Sequence, residues 1–130
     1  MRLVQQFSKM IAHIIGLKQK GRHAEALVEI THLYKSVLKL EHEQVMGFEK
    51  DDWKTFFNER SVEEWEMAAD LLRLEGEVLL DMNKPEGVCV RLFTALDILK
   101  KVNESGKAFS LERMGKIAEL EDKLAGEQPI

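Results

Sequence analysis

Histidine and carboxylate residues are the side chains of this chain that could do chemistry, but their spacing does not favour a reactive site. The four histidines are His13, His23, His32 and His42. No two of them are four residues apart, and no Cys/His ligand spacing or phosphate-binding Gly-rich loop is present, so we predict no bound metal, no cofactor and no catalytic residue. The sequence Glu41-His42-Glu43 could form a weak surface ligand set, but the end of a solvated helix is the favoured interpretation.

Glu75 is the ionisable residue in the most informative position. In the third long predicted helix it points between Leu71 and Leu79, into an apolar face. Because a buried carboxylate must be paired, Arg91, at the edge of the apolar face of the next helix, is its predicted partner. A structural ion pair is the favoured interpretation. The alternative is that both residues bind a ligand in a groove, where Phe93 would also lie.

Trp53, Phe56 and Phe57 form an aromatic cluster at helical spacing. The cluster could be a lid that packs inside its own chain, or an exposed hot spot for dimerisation or for a partner. We expect the lid, covering the junction of the second and third predicted helices. Leaving three such side chains exposed would forgo on the order of 10 kcal/mol of gross hydrophobic stabilisation.

The elements that position these residues are amphipathic helices, since apolar residues recur at a spacing of about 3.6 along most of the chain. The pattern predicts long helices near 2–19, 23–40, 61–82, 85–103 and 110–124, and a short aromatic helix near 52–58. Gly21 suits a tight turn after the first helix, and Ser61 with Glu64 forms a capping box at the start of the third. The third helix has the widest apolar arc, with Leu72 and Leu79 as predicted core residues, so we expect it to be central.

Small residues at the predicted turns and helix crossings resemble those of tetratricopeptide (TPR) units. They are Gly21 and Ala26 in the first helix pair, and Gly76 and Ala95 in the second. Asn83 stands where the second pair would have its turn glycine, and the two turns are too far apart for directly tandem repeats.

With its aromatic insert, the chain resembles a small TPR-like family of Gram-positive bacteria. The resemblance implies an all-α fold in which antiparallel helix pairs form a short right-handed superhelix. One domain, 1–130, would then comprise a helix pair 2–40, the insert 41–60, a helix pair 61–103 and a capping helix 110–124. By analogy of fold, the resemblance also implies a groove for peptides or partner proteins, and it implies no enzymatic activity.

Charge is unevenly distributed along the 130 residues, whose net charge is −4. Residues 1–40 contain seven basic and two acidic residues, whereas residues 41–66 contain three basic and nine acidic ones. An acidic protein without a concentration of Lys and Arg is not expected to bind nucleic acid. No uncharged apolar run is long enough for a membrane span, and polar residues interrupt the N-terminus where a signal peptide would be apolar.

These observations predict a cytoplasmic, non-enzymatic module for protein–protein interaction or scaffolding, whose partner the sequence does not identify. Homodimerisation is left open. The alternative function is a sensor that binds a small apolar ligand or a peptide between the second helix, the aromatic segment and the third helix.

Overall fold

All regular secondary structure in the computed structural model is helical within residues 2–126, the part that the structure describes, with side chains from Val4 onward. The all-α prediction is therefore confirmed for this part of the chain. The helices in it are α1 (Arg2–Gln19), α2 (His23–Leu38), α3 (His42–Met46), α4 (Lys50–Glu59), α5 (Val62–Asp81), α6 (Val88–Glu104) and α7 (Leu111–Lys123). None of them combines the length and the apolar composition needed to cross a lipid bilayer.

Two differences from the predicted elements occur at residues with left-handed backbone conformation. Lys39 has φ 58° and ends α2 two residues before the predicted end, and Gly87 has φ 75° and delays the start of α6 by three residues. A right-handed helix cannot continue through either conformation. After Lys39 the chain forms α3, a helix that the sequence analysis did not predict.

The third long predicted helix is central, as expected, and corresponds to α5. It packs against α1, α2 and α6, and its apolar arc provides the middle of the core. Its first turn has the predicted capping box, in which the Ser61 hydroxyl accepts from the Glu64 amide. Leu72 is buried as predicted, whereas Leu79 is only partly buried.

Small residues allow close approach between the packed helices. Ala26 and Ala95 are completely buried. A Cβ atom on Gly76 would lie 2.9 Å from Cδ2 of Leu92, so the absence of a side chain at position 76 lets α5 and α6 approach closely.

A row of ion pairs joins the polar stripe of α5 to α7 and to the turn before it. Lys107 lies 3.0 Å from Glu66, Lys116 lies 2.9 Å from Asp70, and Lys123 lies 3.0 Å from Glu77. The sequence analysis did not predict which residues pair with these acids. The structure shows that cations from the C-terminal part of the chain neutralise several of its acids.

Candidate functional site

The main pocket of the protein lies between the α3–α4 segment and the α5–α6 pair. Its volume is about 340 Å³, within the range of pockets that hold small ligands or single side chains. Nine residues line it: Val45, Met46, Phe48, Trp53, Leu72, Gly87, Val90, Arg91 and Thr94. Most of these side chains are apolar, and Met46 and Val90 are themselves exposed, at 37% and 51%. The pocket therefore presents an apolar rim to solvent.

An aromatic layer forms one side of this pocket. The Trp53 ring lies 4.9 Å from that of Phe48 and 5.4 Å from that of Phe56, both edge-to-face. Phe57 continues the layer to Trp65 of α5, at 5.0 Å between ring centroids. Such edge-to-face contacts are favourable beyond the area that they bury.

The aromatic cluster packs largely within its own chain, as predicted for a lid. Phe56 is buried, and Trp53 and Phe57 are partly buried against the core. The cluster also reaches α6, which the prediction did not include, because the ammonium group of Lys101 lies 5.1 Å from the Phe57 ring centroid. The cluster thus covers the edge of the α5–α6 pair, and Trp53 lines the pocket. Whether it is a lid or an interface between copies stays a prediction.

Glu75 is the centre of a buried polar cluster behind the pocket. Its side chain accepts from Nε of Arg91 at 2.9 Å, so the predicted ion pair is present. The Tyr34 hydroxyl donates to the same oxygen at 3.4 Å, and Nε2 of His42 lies 2.5 Å from the other oxygen. Because an ionised carboxylate can only accept, His42 is the donor in this contact. Glu75 thereby ties α2, α3 and α6 to α5.

Arg91 connects the polar cluster to the pocket. Its Nη1 donates to the carbonyl of Gly87 at 3.0 Å, and the residue also lines the pocket wall. A side chain at Gly87 would collide with Nη1 of Arg91, and the left-handed conformation there also favours glycine. The ion pair with Glu75 leaves the pocket wall with little net charge.

Tyr34 provides a spectroscopic test of this cluster, because it is the only tyrosine in the chain. Burial raises the pKa of Tyr34 well above its ordinary value, the Glu75 carboxylate raises it further, and Arg91 lowers it. Because folding raises the pKa of Tyr34, the protonated phenol contributes to the stability of the folded state at pH values below its unfolded pKa of about 10. This contribution is lost as the pH rises towards the higher pKa of the folded state. We therefore expect phenolate absorbance to appear only well above pH 10, together with the loss of helical circular dichroism. In guanidinium chloride the same tyrosine should titrate near pH 10, and phenolate formation near pH 10 in the folded protein would contradict the buried cluster.

A second, smaller pocket of about 200 Å³ lies on the other side of Phe48. Its lining residues are Leu40, Phe48, Asp52, Thr55, Phe56, Glu59 and Arg60. Arg60 is held within the fold, since it donates to the Leu38 carbonyl and to Glu64. The carboxylates of Asp52 and Glu59 form no ion pair with any residue from 4 to 126. Phe48 lines both pockets, so the two cavities adjoin at this side chain, and we call them together the groove.

The structure brings only some of the predicted site residues together. Trp53 and Arg91 line the main pocket, Phe56 lines the second one, and Glu75 lies behind Arg91. Phe57 contacts Trp65 beyond the groove.

Phe93 and His42 differ most from their predicted surroundings. Phe93 is partly buried against the core and lines neither pocket. The interpretation of His42 as part of a solvated helix end is wrong, because the chain reverses at Lys39 and places the imidazole against Glu75. No local pattern could have indicated this, since His42 and Glu75 are 33 residues apart. Among residues 2–126, no three His, Cys, Asp or Glu side chains are grouped so as to hold a metal ion.

Comparisons of the chain with protein-family models, with curated proteins and with solved structures found no match.

Proposed function

We propose that the protein is a non-enzymatic, TPR-like interaction module of the cytoplasm that binds a partner polypeptide at the main pocket. The observation that carries this proposal is the apolar rim of that pocket, where Met46 and Val90 are exposed next to Trp53. Apolar residues concentrated around a concavity are typical of sites that accept a partner's side chain.

The solvent exposure of the rim residues favours a partner protein over a small-molecule ligand. A small-molecule site usually buries most of its ligand, whereas here Val90 leaves half of its own surface in solvent at the pocket edge. A polypeptide can insert one side chain into the cavity and cover the rim with its backbone. For the same reason, a sensor of a small apolar ligand is the second candidate function, after partner binding.

The polar groups near the pocket support a binding role over a catalytic one. Arg91 is bound to Glu75 and Gly87, and Nε2 of His42 is bound to Glu75. An activated nucleophile needs a base within hydrogen-bonding reach, and no serine or threonine hydroxyl of residues 4–126 is hydrogen-bonded to a histidine.

The helix contacts support the TPR-like part of the proposal. α1 packs on α2, and α5 packs on α6, as consecutive helices do in TPR units. The small residues that carry the resemblance lie buried between these helices: Ala26, Gly76 and Ala95.

A matched pair of valine substitutions tests the proposed function. Val90 and Val28 are exposed to 51% and 52% of their surface, each in a helix, but only Val90 lines the main pocket. We expect wild type and Val28→Asp to retain the same protein from a lysate of the source organism. Val90→Asp should lose it, with at least a tenfold weaker Kd by calorimetry on the purified partner. Equal retention by both variants, or no retention by the wild type, would contradict the proposal.

A further inference from the structure

We infer that the partner segment is basic, and that it places a large apolar side chain in the main pocket and a Lys or Arg side chain in the second pocket. This inference rests on the proposed function and specifies the chemistry of its partner. Three features of the groove support it. Its arginines are paired with carboxylates of the fold, its exposed carboxylates are not paired with cations of the described residues, and apolar side chains line the same pocket as these carboxylates.

Both arginines of the groove are neutralised within the fold. Arg91 of the main pocket pairs with Glu75 at 2.9 Å, and Arg60 of the second pocket pairs with Glu64 at 3.1 Å. The guanidinium of Arg60 also lies 5.3 Å from the centroid of the Phe56 ring. Neither arginine therefore offers an uncompensated positive charge to a partner.

The carboxylates of the second pocket, in contrast, form no ion pairs within residues 4–126. Asp52 and Glu59 are exposed and line the pocket, and neither forms an ion pair among the residues whose side chains are described. Asp52 accepts a hydrogen bond from the Glu49 amide at the start of α4, and no cationic side chain from residue 4 to 126 pairs with its carboxylate. Anionic partners, including nucleic acid, would be repelled here, whereas an ammonium or a guanidinium would be attracted.

The second pocket also matches the shape of a long basic side chain. Asp52 and Glu59 are seven residues apart on α4, which places them on the same face about 10 Å from each other. Between them Leu40, Phe48 and Phe56 provide apolar surface. Lysine and arginine bury their aliphatic stems against such surface while the charged group remains at the polar edge.

A peptide selection tests the inference. Wild-type protein is used to select from a fluorescein-labelled decapeptide library that has one fixed leucine and random residues elsewhere. We expect the selected peptides to be enriched in Lys or Arg near the leucine, and to lose affinity with rising salt concentration. The Glu59→Lys variant should bind these peptides at least tenfold more weakly and should prefer Asp or Glu at the same positions, because a reversed charge exchanges attraction for repulsion.

Glu119→Lys is the matched control, because it makes the same charge reversal at an exposed glutamate of α7 without an ion pair in the described part of the chain. It should select the same peptides as the wild type. Peptides that bind through Val90 but show no preference for Lys or Arg would overturn the inference and leave the proposed function standing. A library without any peptide that depends on Val90 would overturn both. A dimer in sedimentation that Val90→Asp converts to a monomer would show that a second copy occupies the groove, and would also overturn the inference.

Discussion

Glu75→Ala should destabilise the protein by about 3–5 kcal/mol, one of the two largest losses that we expect from a single substitution. Glu75 is only 3% exposed, and its removal leaves Arg91 without its counter-ion and the buried Tyr34 hydroxyl without its acceptor. It also releases His42, and with it the contact between α3 and α5. The free energy of unfolding can be measured in urea by circular dichroism.

Two further variants separate the loss of the ion pair from the loss of packing. Glu29→Ala, the control, removes a half-exposed glutamate of α2 and should cost less than about 0.5 kcal/mol. The triple variant Tyr34→Phe, Glu75→Leu and Arg91→Met replaces the cluster by apolar groups and should recover most of the stability, since buried ion pairs can be replaced by well-packed apolar residues. A small effect of Glu75→Ala would mean that the carboxylate is solvated.

Phe56→Asp is expected to unfold the protein. Phe56 is buried at the centre of the aromatic layer between Trp53 and Phe57, and an aspartate there would combine the loss of a large aromatic side chain with the burial of a charge. The first effect alone costs about 3–5 kcal/mol, and the second adds a desolvation cost of several more. Loss of helical circular dichroism at room temperature is the expected result.

Phe109→Asp is the control for this experiment. Phe109 is 75% exposed in the turn between α6 and α7, so the same chemical change should leave the helical content unaltered. If Phe56→Asp keeps its circular dichroism and only lowers the oligomeric mass in sedimentation, the aromatic layer is an interface between copies and not a lid.

The long helices could be predicted from the sequence because the signals that define them are local. Apolar residues at 3.6-residue spacing, the turn at Gly21 and the capping box of Ser61 and Glu64 each act within a few residues, and each is found in the structure. The pairing of Glu75 with Arg91 was also predictable, because consecutive packed helices bring their edge residues together.

The site itself depends on contacts between residues that are far apart in the sequence, and local sequence patterns do not indicate such contacts. α3 has only five residues, which is too short to show a helical period, and its position follows from the left-handed conformation of Lys39. The main pocket is lined by residues of α3 together with residues of α5 and α6, and its apolar rim could not be recognised before Met46 and Val90 were placed at one cavity. Long-range geometry, not residue type, defines the site.

The row of ion pairs between α5 and α7 has a consequence for the order in which the chain acquires its structure during synthesis. Asp70 is translated 46 residues before Lys116, its partner. Arg73 of α5 is the local counter-charge of this stripe, at 3.6 Å from Asp70 and 3.2 Å from Glu77. At about 5–20 residues per second, roughly 2–9 s pass between the synthesis of Asp70 and that of Lys116, so Arg73 must compensate these acids before α7 is made. The lysines of α7 then add the remaining counter-charges after α6 has been synthesised.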